Sequence, residues 1–241
     1  LKHIWPTLFG QHIRQPPRAA KIGPVRAEHA MAEGARDIVG LGTSPAMNQK
    51  VYDDWGDKYE ADVRAWGYDM PERVAEAVRL HAGGREGELS VLDAGAGDGL
   101  SGRALVQCGF RNIVGIDLSP ELAALARDRG VYASVEVADL SQPLANFADD
   151  AFDAATVVGV MTYLEPDGCA LPELCRVVRQ GGLVCFTHST DKLRMWHDTH
   201  ERLASEGRWS RVHISEPLPY LPKNPEYGDN IKVVIHIYRV S

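Results

Sequence analysis

The stretch Val91–Gly102, VLDAGAGDGLSG, sets an acid, Asp93, two residues ahead of Gly95, with Gly97 and Gly99 following at alternate positions. An apolar run precedes it, so the chain leaves a buried strand and turns at once through backbone that glycine adopts without steric cost. In an open α/β sheet, ligands lie at such turns, outside the carboxyl ends of the strands. The spacing is GxGxG, with Ala96 between the first two glycines, and not the GxGxxG of turns that hold a dinucleotide. A carboxylate at the strand tip would repel a pyrophosphate and suits a ligand that carries an ammonium group. Eighteen residues beyond Gly99, Asp117 closes a second apolar run in GIDLS, where it can accept from both hydroxyls of a ribose. Asp139, in VADL, closes a third and can accept from an exocyclic adenine amine, with Leu118 and Leu140 flanking the ring. Each acid alone is common at strand ends and turns. Together with the glycine loop they describe a cradle for a cationic amino acid joined to ribose and adenine, which is S-adenosylmethionine.

The elements that position these residues follow from the period of the apolar positions. Residues 1–47, with Pro6, Pro16, Pro17, Pro24 and Pro45, read as an irregular basic arm, and residues 48–241 as the folded domain. Val51, Tyr52, Trp55, Tyr59, Val63 and Trp66 mark an amphipathic helix with an aromatic stripe. A second helix follows Pro71, with Val74, Ala77 and Val78 inward, and ends near Gly83. Strands and helices then alternate: LSVLDAG, the helix SGRALVQCG, NIVGIDL, and the helix ELAALARDRG behind a Ser119-Pro120 cap. VYASVEVADL, FDAATVVGVM and GGLVCFTHS supply the third, fourth and fifth strands, with a helix over Pro172–Val178 and a polar helix over Asp191–Glu206. SRVHISEPL and IKVVIHIYRVS have no helix between them and are expected to pair antiparallel at one edge. The pattern predicts an α/β fold, a mostly parallel sheet covered by helices on both faces.

Composition narrows the function classes. Of the 241 residues, 44% are apolar and 24% charged, values of an ordinary globular protein. Cys108, Cys169, Cys175 and Cys185 show no CxxC spacing, which argues against a disulfide framework or zinc site and for a reducing compartment. The net charge is −7, although residues 1–27 carry Lys2, Arg14, Arg18, Lys21 and Arg26 and no acid. So acidic a body repels a phosphate backbone, and no nucleic-acid partner is expected. No apolar run approaches the roughly 20 residues that cross a bilayer, so no membrane is expected either. A cytoplasmic location is the expectation, with an organellar one as the alternative if the basic arm is the remnant of a transit peptide. The oligomeric state is left open.

VLDAGAGDG, GIDLSPELAALAR, VADL, FDAATVVGVMTYL and LCRVVRQGGLVCFT resemble the successive motifs of class I S-adenosylmethionine-dependent methyltransferases. Within them, VYDDWGDKYEADVRAWGY, VVGVMTYL and GGLVCFTH are similar to the Williams–Beuren syndrome region methyltransferase-like proteins. The resemblance implies a Rossmann-like, seven-stranded sheet with an antiparallel last strand beside the sixth. It also implies that Asp93, Gly95 and Gly97 hold the methionine part, Asp117 the ribose and Asp139 the adenine, with Val158 and Gly159 beside the methyl group. The N-terminal helix would form a lid, with Tyr59 near the sulfonium, where an aromatic face attracts the cation. The product would be S-adenosylhomocysteine.

The acceptor is less legible. Methyl transfer from a sulfonium needs alignment and a dry cavity more than a catalytic group. The fourth strand ends in VGVMTYL and not in the Asn/Asp-Pro-Pro-aromatic tetrapeptide of enzymes that methylate base amino groups, and no metal is expected. His188, at the end of VCFTHS, is a candidate general base, and Tyr163 a candidate for orienting substrate. Tyr220 and Tyr227 are further candidates in the Pro219–Gly228 loop, while His197, His200 and His213 read as surface residues. The reading is transfer to a small-molecule acceptor at oxygen, sulfur or nitrogen; the alternatives are a protein side chain, or a non-catalytic cofactor-binding partner protein.

Overall fold

A computed structural model describes residues 58–226 and 228–241. The arm over residues 1–47, and Tyr52, Trp55 and Tyr227, lie outside the described residues. Helix α1 covers Tyr59–Ala65, and α2 Met70–Ala82. Helix α2 carries Pro71 in its first turn and ends at Gly83, whose φ of 68° places it in the left-handed region that closes helices. Strand β1 (Ser90–Ala94) leads into α3 (Leu100–Gln107), β2 (Asn112–Asp117) into α4 (Pro120–Asp128), and β3 covers Ser134–Val137. At the start of α4 the Ser119 hydroxyl accepts the amide of Leu122 at 3.1 Å, the expected cap. Strand β4 is Phe152–Val157, followed by a single 3-10 turn over Met161–Tyr163, helix α5 (Ala170–Val177) and β5 (Val178–Ser189). Helix α6 (Leu193–Ser205) precedes β6 (Trp209–Ile214), β7 (Leu218–Pro219) and β8 (Lys232–Val240).

The strands form one sheet of order β3-β2-β1-β4-β5-β8-β6, with β7 also on β8. Strands β1 to β5 are parallel to one another, and β8 is antiparallel to β5, β6 and β7. The sheet thus has eight strands where seven were expected. The eighth arises because SRVHISEPL divides: Pro217 has no N–H to continue the ladder, and two residues re-pair with β8 beyond it. The third strand is also shorter than VYASVEVADL suggested, since it is an edge strand paired on one side.

Alternation along the strands divides the core into two layers. Leu92, Phe186, Trp196, Trp209 and Tyr238 pack on one face of the sheet; Val74, Val78, Val91, Ile113, Cys185 and Ile237 pack on the other. Both faces of β1 and β5 are therefore buried, which is why their sequences read as continuous apolar runs. This sandwich holds the carboxyl ends of β3, β2, β1, β4 and β5 side by side along one sheet edge. Every sequence-marked acid and glycine falls there. The four cysteines are free thiols, and no helix among the described residues is long and apolar enough to cross a membrane.

Candidate functional site

Beyond β1 the chain turns through Gly95, Gly97 and Gly99, with φ of 81°, 57° and 94°. A Cβ on Gly95 would stand 2.2 Å from Cγ2 of Val160, and one on Gly99 2.7 Å from Cδ of Arg129, so neither position has room for a side chain. At Gly97, among the described residues, none comes within 4 Å of that position. The amides of Gly95 and Ala96 both donate to the carbonyl of Ile116, at 2.8 and 2.9 Å, tying the loop to β2. Asp117 completes the tie. Its Oδ2 accepts the Gly97 amide at 2.7 Å and its Oδ1 the Ser119 amide at 2.9 Å. Each carboxylate oxygen has two acceptor sites, so these bonds leave the chemistry of ribose recognition open to it. Next along the edge, half-buried Asp139 accepts the amide of Ser141 at 2.8 Å, beside buried Leu140. Leu118 is half-buried after β2.

Asp93 sits differently from the expectation. It lies beneath the loop, with 0% exposure, and both oxygens are engaged: Oδ2 accepts from the Tyr132 hydroxyl at 2.7 Å and Oδ1 from Thr156 at 3.0 Å. A fully buried carboxylate with two hydroxyl donors is a support for the loop and not a surface for an ammonium group. Burial raises its pKa to about 6, against the lowering effect of the two hydroxyl donors. Sequence reasoning missed Tyr132. Its hydroxyl also accepts the amide of Gly102 at 3.0 Å, and a Cβ on Gly102 would stand 2.2 Å from its Cζ. Gly102 in α3 therefore exists to admit this ring, a use of glycine that no local pattern shows. Tyr132→Phe should cost about 1–3 kcal/mol because it strips a buried carboxylate of a donor. The check is a lower urea midpoint at unchanged slope; a midpoint equal to the parent's would mean that the bond contributes nothing.

A second group escaped the sequence reading. Glu60 on α1 accepts from Arg64 at 2.7 Å, from Arg103 of α3 at 2.8 Å and from Arg129 at 2.7 Å. Arg129 also pairs with buried Asp98 of the glycine loop. Burial pulls the Glu60 carboxyl upward, but Arg129 and Arg64 together hold it below its usual range. Helix α1 is thus bonded to the loop through charges from four chain segments, a juxtaposition with no signature in one dimension. Tyr59 is on α1, and its side chain lies outside the described residues.

On the other side of β1, Val158 is buried and Gly159 turns with φ of 75°. The Gly159 amide donates to Thr187 Oγ1 at 2.9 Å, and a Cβ on it would lie 3.3 Å from the hydroxyls of both Tyr68 and Tyr220. The two tyrosine rings meet edge to face at 5.1 Å. A cavity of about 270 Å³ opens here, lined among others by Gly159, Tyr163, Thr187, Ser189 and Tyr220. Because Val160 touches Gly95, the cavity and the glycine loop share the turn after β4.

His188 is not in this cavity. Its strand neighbours Thr187 and Ser189 face the cavity, and period-two alternation sends His188 to the opposite face. There it is wholly buried against Phe186, Trp196, His200 and His236. Among the described residues neither ring nitrogen has a hydrogen-bond partner, and burial holds the ring neutral, its pKa well below the usual histidine value. The general-base role is therefore withdrawn. His200 is also corrected: it is buried on α6, inside the same cluster, whereas His197 and His213 are exposed. Its place was hidden because the apolar face of α6 is built from Trp196, Thr199, His200 and Leu203, half of them polar by type.

The fold is the one seen in S-adenosylmethionine-dependent methyltransferases of known structure, and part of the chain matches a methyltransferase domain. A family model described as a methyltransferase domain matches residues 92–186, which run from the middle of β1 into β5. Among curated proteins, the chain is similar to methyltransferase-like protein 27 of Homo sapiens, 29% identical over 190 residues, 77% of this chain and 74% of that one. It is also similar to the ubiquinone biosynthesis O-methyltransferase of Xanthomonas oryzae pv. oryzae, 33% identical over 137 residues, of which it spans 56%. Among solved structures, a TehB-like SAM-dependent methyltransferase from Corynebacterium glutamicum superposes with a TM-score of 0.58 at 24% identity, covering 82% of this chain and 100% of that one.

Proposed function

We propose that the protein transfers the methyl group of S-adenosylmethionine to a small-molecule acceptor held in the cavity beside Gly159. The observation that carries this reading is the shared turn: Val160 packs against Gly95 of the glycine loop while Gly159 lines a cavity of about 270 Å³. That volume is at the small end for ligand sites, which favours a compact acceptor over a side chain presented by another protein. In this reading the backbone of Gly95, Ala96 and Gly97 receives the methionine part, with the open face at Gly97 giving close approach. Asp117 accepts from the ribose. Asp139 faces the adenine edge, with Leu118 and Leu140 at its ring, and Val158 and Gly159 border the methyl group. When bound, the cofactor supplies a methyl group activated by its sulfonium for in-line displacement.

The residues around the cavity act by alignment. Tyr220 stays a phenol at neutral pH, because burial pushes its pKa up, and so offers hydrogen bonds and not a base. Asp191, tethered by the Ser189 hydroxyl, is the one carboxylate among the described lining residues. The site thus suits acceptors whose nucleophile ionises readily, such as thiols, phenols and acids. The chain should bind S-adenosylhomocysteine with a rise in melting temperature, about 2.7 kcal/mol of added stability at a hundredfold excess over Kd, and NAD at the same concentration should give none. Equal shifts with both, or none with either, would refute the reading.

A further inference from the structure

The cavity beside Gly159 has a charged outer end that methyl transfer itself does not require. Lys192, at the start of α6, and Lys232, the first residue of β8, both line it, with Asp191 as their counter-charge. The two lysines come from segments 40 residues apart in sequence that the sheet brings together: Ser189 is registered against Val233, and the amide of Thr190 donates to the carbonyl of Lys232 at 2.8 Å. The protein as a whole carries −7, so a concave wall with two ammonium groups against one carboxylate departs from the sign of the molecule. Such a wall draws small anions from solution and repels cations.

Resting on the methyltransferase reading above, we infer that the acceptor is a small carboxylic acid, its carboxylate held by Lys192 and Lys232 and its nucleophile directed at Gly159. The geometry orders the two ends. Thr187 bonds the Gly159 amide, while Ser189 leads out along the same strand to Asp191 and Lys192. Thr187 and Ser189 stand two strand residues apart, about 6–7 Å, so this stretch of the cavity wall matches the length of about one ring or a short chain. Ile231 and Val233 provide the apolar wall between them. Among the described lining residues, two lysines against Asp191 leave one positive charge, which matches a carboxylate monoanion and not a phosphate dianion.

The test uses the full chain loaded with S-adenosylhomocysteine and three probes of one shape, 4-hydroxybenzoate, 4-hydroxybenzamide and 4-hydroxyphenyl phosphate, with binding read by calorimetry. The benzoate should bind about tenfold or more tighter than the amide, and tighter than the phosphate. Lys192→Met and Lys232→Met should each weaken the benzoate about tenfold and leave the amide unchanged, while Lys→Arg at either position retains most of the affinity. Amide binding equal to benzoate binding, no binding of either, or methionine variants that bind benzoate like the parent would overturn the inference. Tighter binding of the phosphate would overturn the choice of carboxylate. The thermal shift with S-adenosylhomocysteine, measured on the same variants, separates the two claims: if it persists, the methyltransferase reading stands whatever the probes do.

Discussion

Acidification from about pH 7 to about pH 4.5 should remove several kcal/mol of unfolding free energy, because His188, His200 and His236 are buried as neutral rings. Their centroids form a triangle with sides of 5.3 Å, His188 from β5, His200 from α6 and His236 from β8. Burial lowers His200 to about 4, with His197 adding a small push, and His236 to about 3, with His200 and Arg211 adding theirs. The unfolded rings titrate near 6.5, so the unfolded state binds more protons below that pH. Their contribution is therefore complete above pH 6.5 and declines as pH falls towards the folded values. Between about pH 6.5 and 4.5 each ring costs about 2–3 kcal/mol. Asp93 acts in the opposite sense: with its folded pKa near 6 it gains stability on protonation and offsets about one ring. Glu60, Asp153 and Glu173 have lowered pKa values and begin to matter only as pH falls through the ordinary carboxylate range. Urea midpoints taken across this window should fall steeply, and His236→Phe, which fits among the stacked rings of Phe186 and Tyr238, should flatten the slope. Midpoints that do not move between the two pH values would show that the rings are solvated or paired.

Gly95→Ala should be strongly destabilising. The added Cβ meets Cγ2 of Val160 at 2.2 Å, and the φ of 81° is one that side chains resist. Overpacking and the left-handed torsion together amount to about 2–5 kcal/mol. Val160 is β-branched and cannot rotate away cheaply, so the turn after β4 must move. Under the proposed function that turn borders both the methyl donor and the acceptor cavity, and the thermal shift with S-adenosylhomocysteine should shrink with the stability. Adding Val160→Ala removes the clashing atom and should recover the packing part, leaving about 1–2 kcal/mol from the torsion. A Gly95→Ala protein as stable as its parent, or a double variant no better than the single one, would show that loop and turn do not meet.

How much of this was legible in the sequence depended on whether the cause was local. The alternation of apolar runs with helical spacing, the Ser119-Pro120 cap and the glycine stop after α2 are effects of neighbouring residues, and they placed the strands and helices. The glycine spacing and the acids at positions 93, 117 and 139 fall together along one edge of the sheet, because parallel topology brings all strand ends of one kind to one side. Side-chain direction was not legible at Asp93, where a strand-tip acid looked exposed and is buried beneath its own loop.

The amino-acid sequence alone determined the class of fold and the order of its elements, since both rest on short-range periodicity and turn chemistry. Only the tertiary structure decided which side chains meet. It joined Glu60 to Asp98 through Arg129, lodged Tyr132 against Asp93, turned His188 from the cavity into a buried cluster, and set Lys192 beside Lys232. These contacts link segments far apart in the chain, and their partners are selected by packing and burial, which no window of sequence contains.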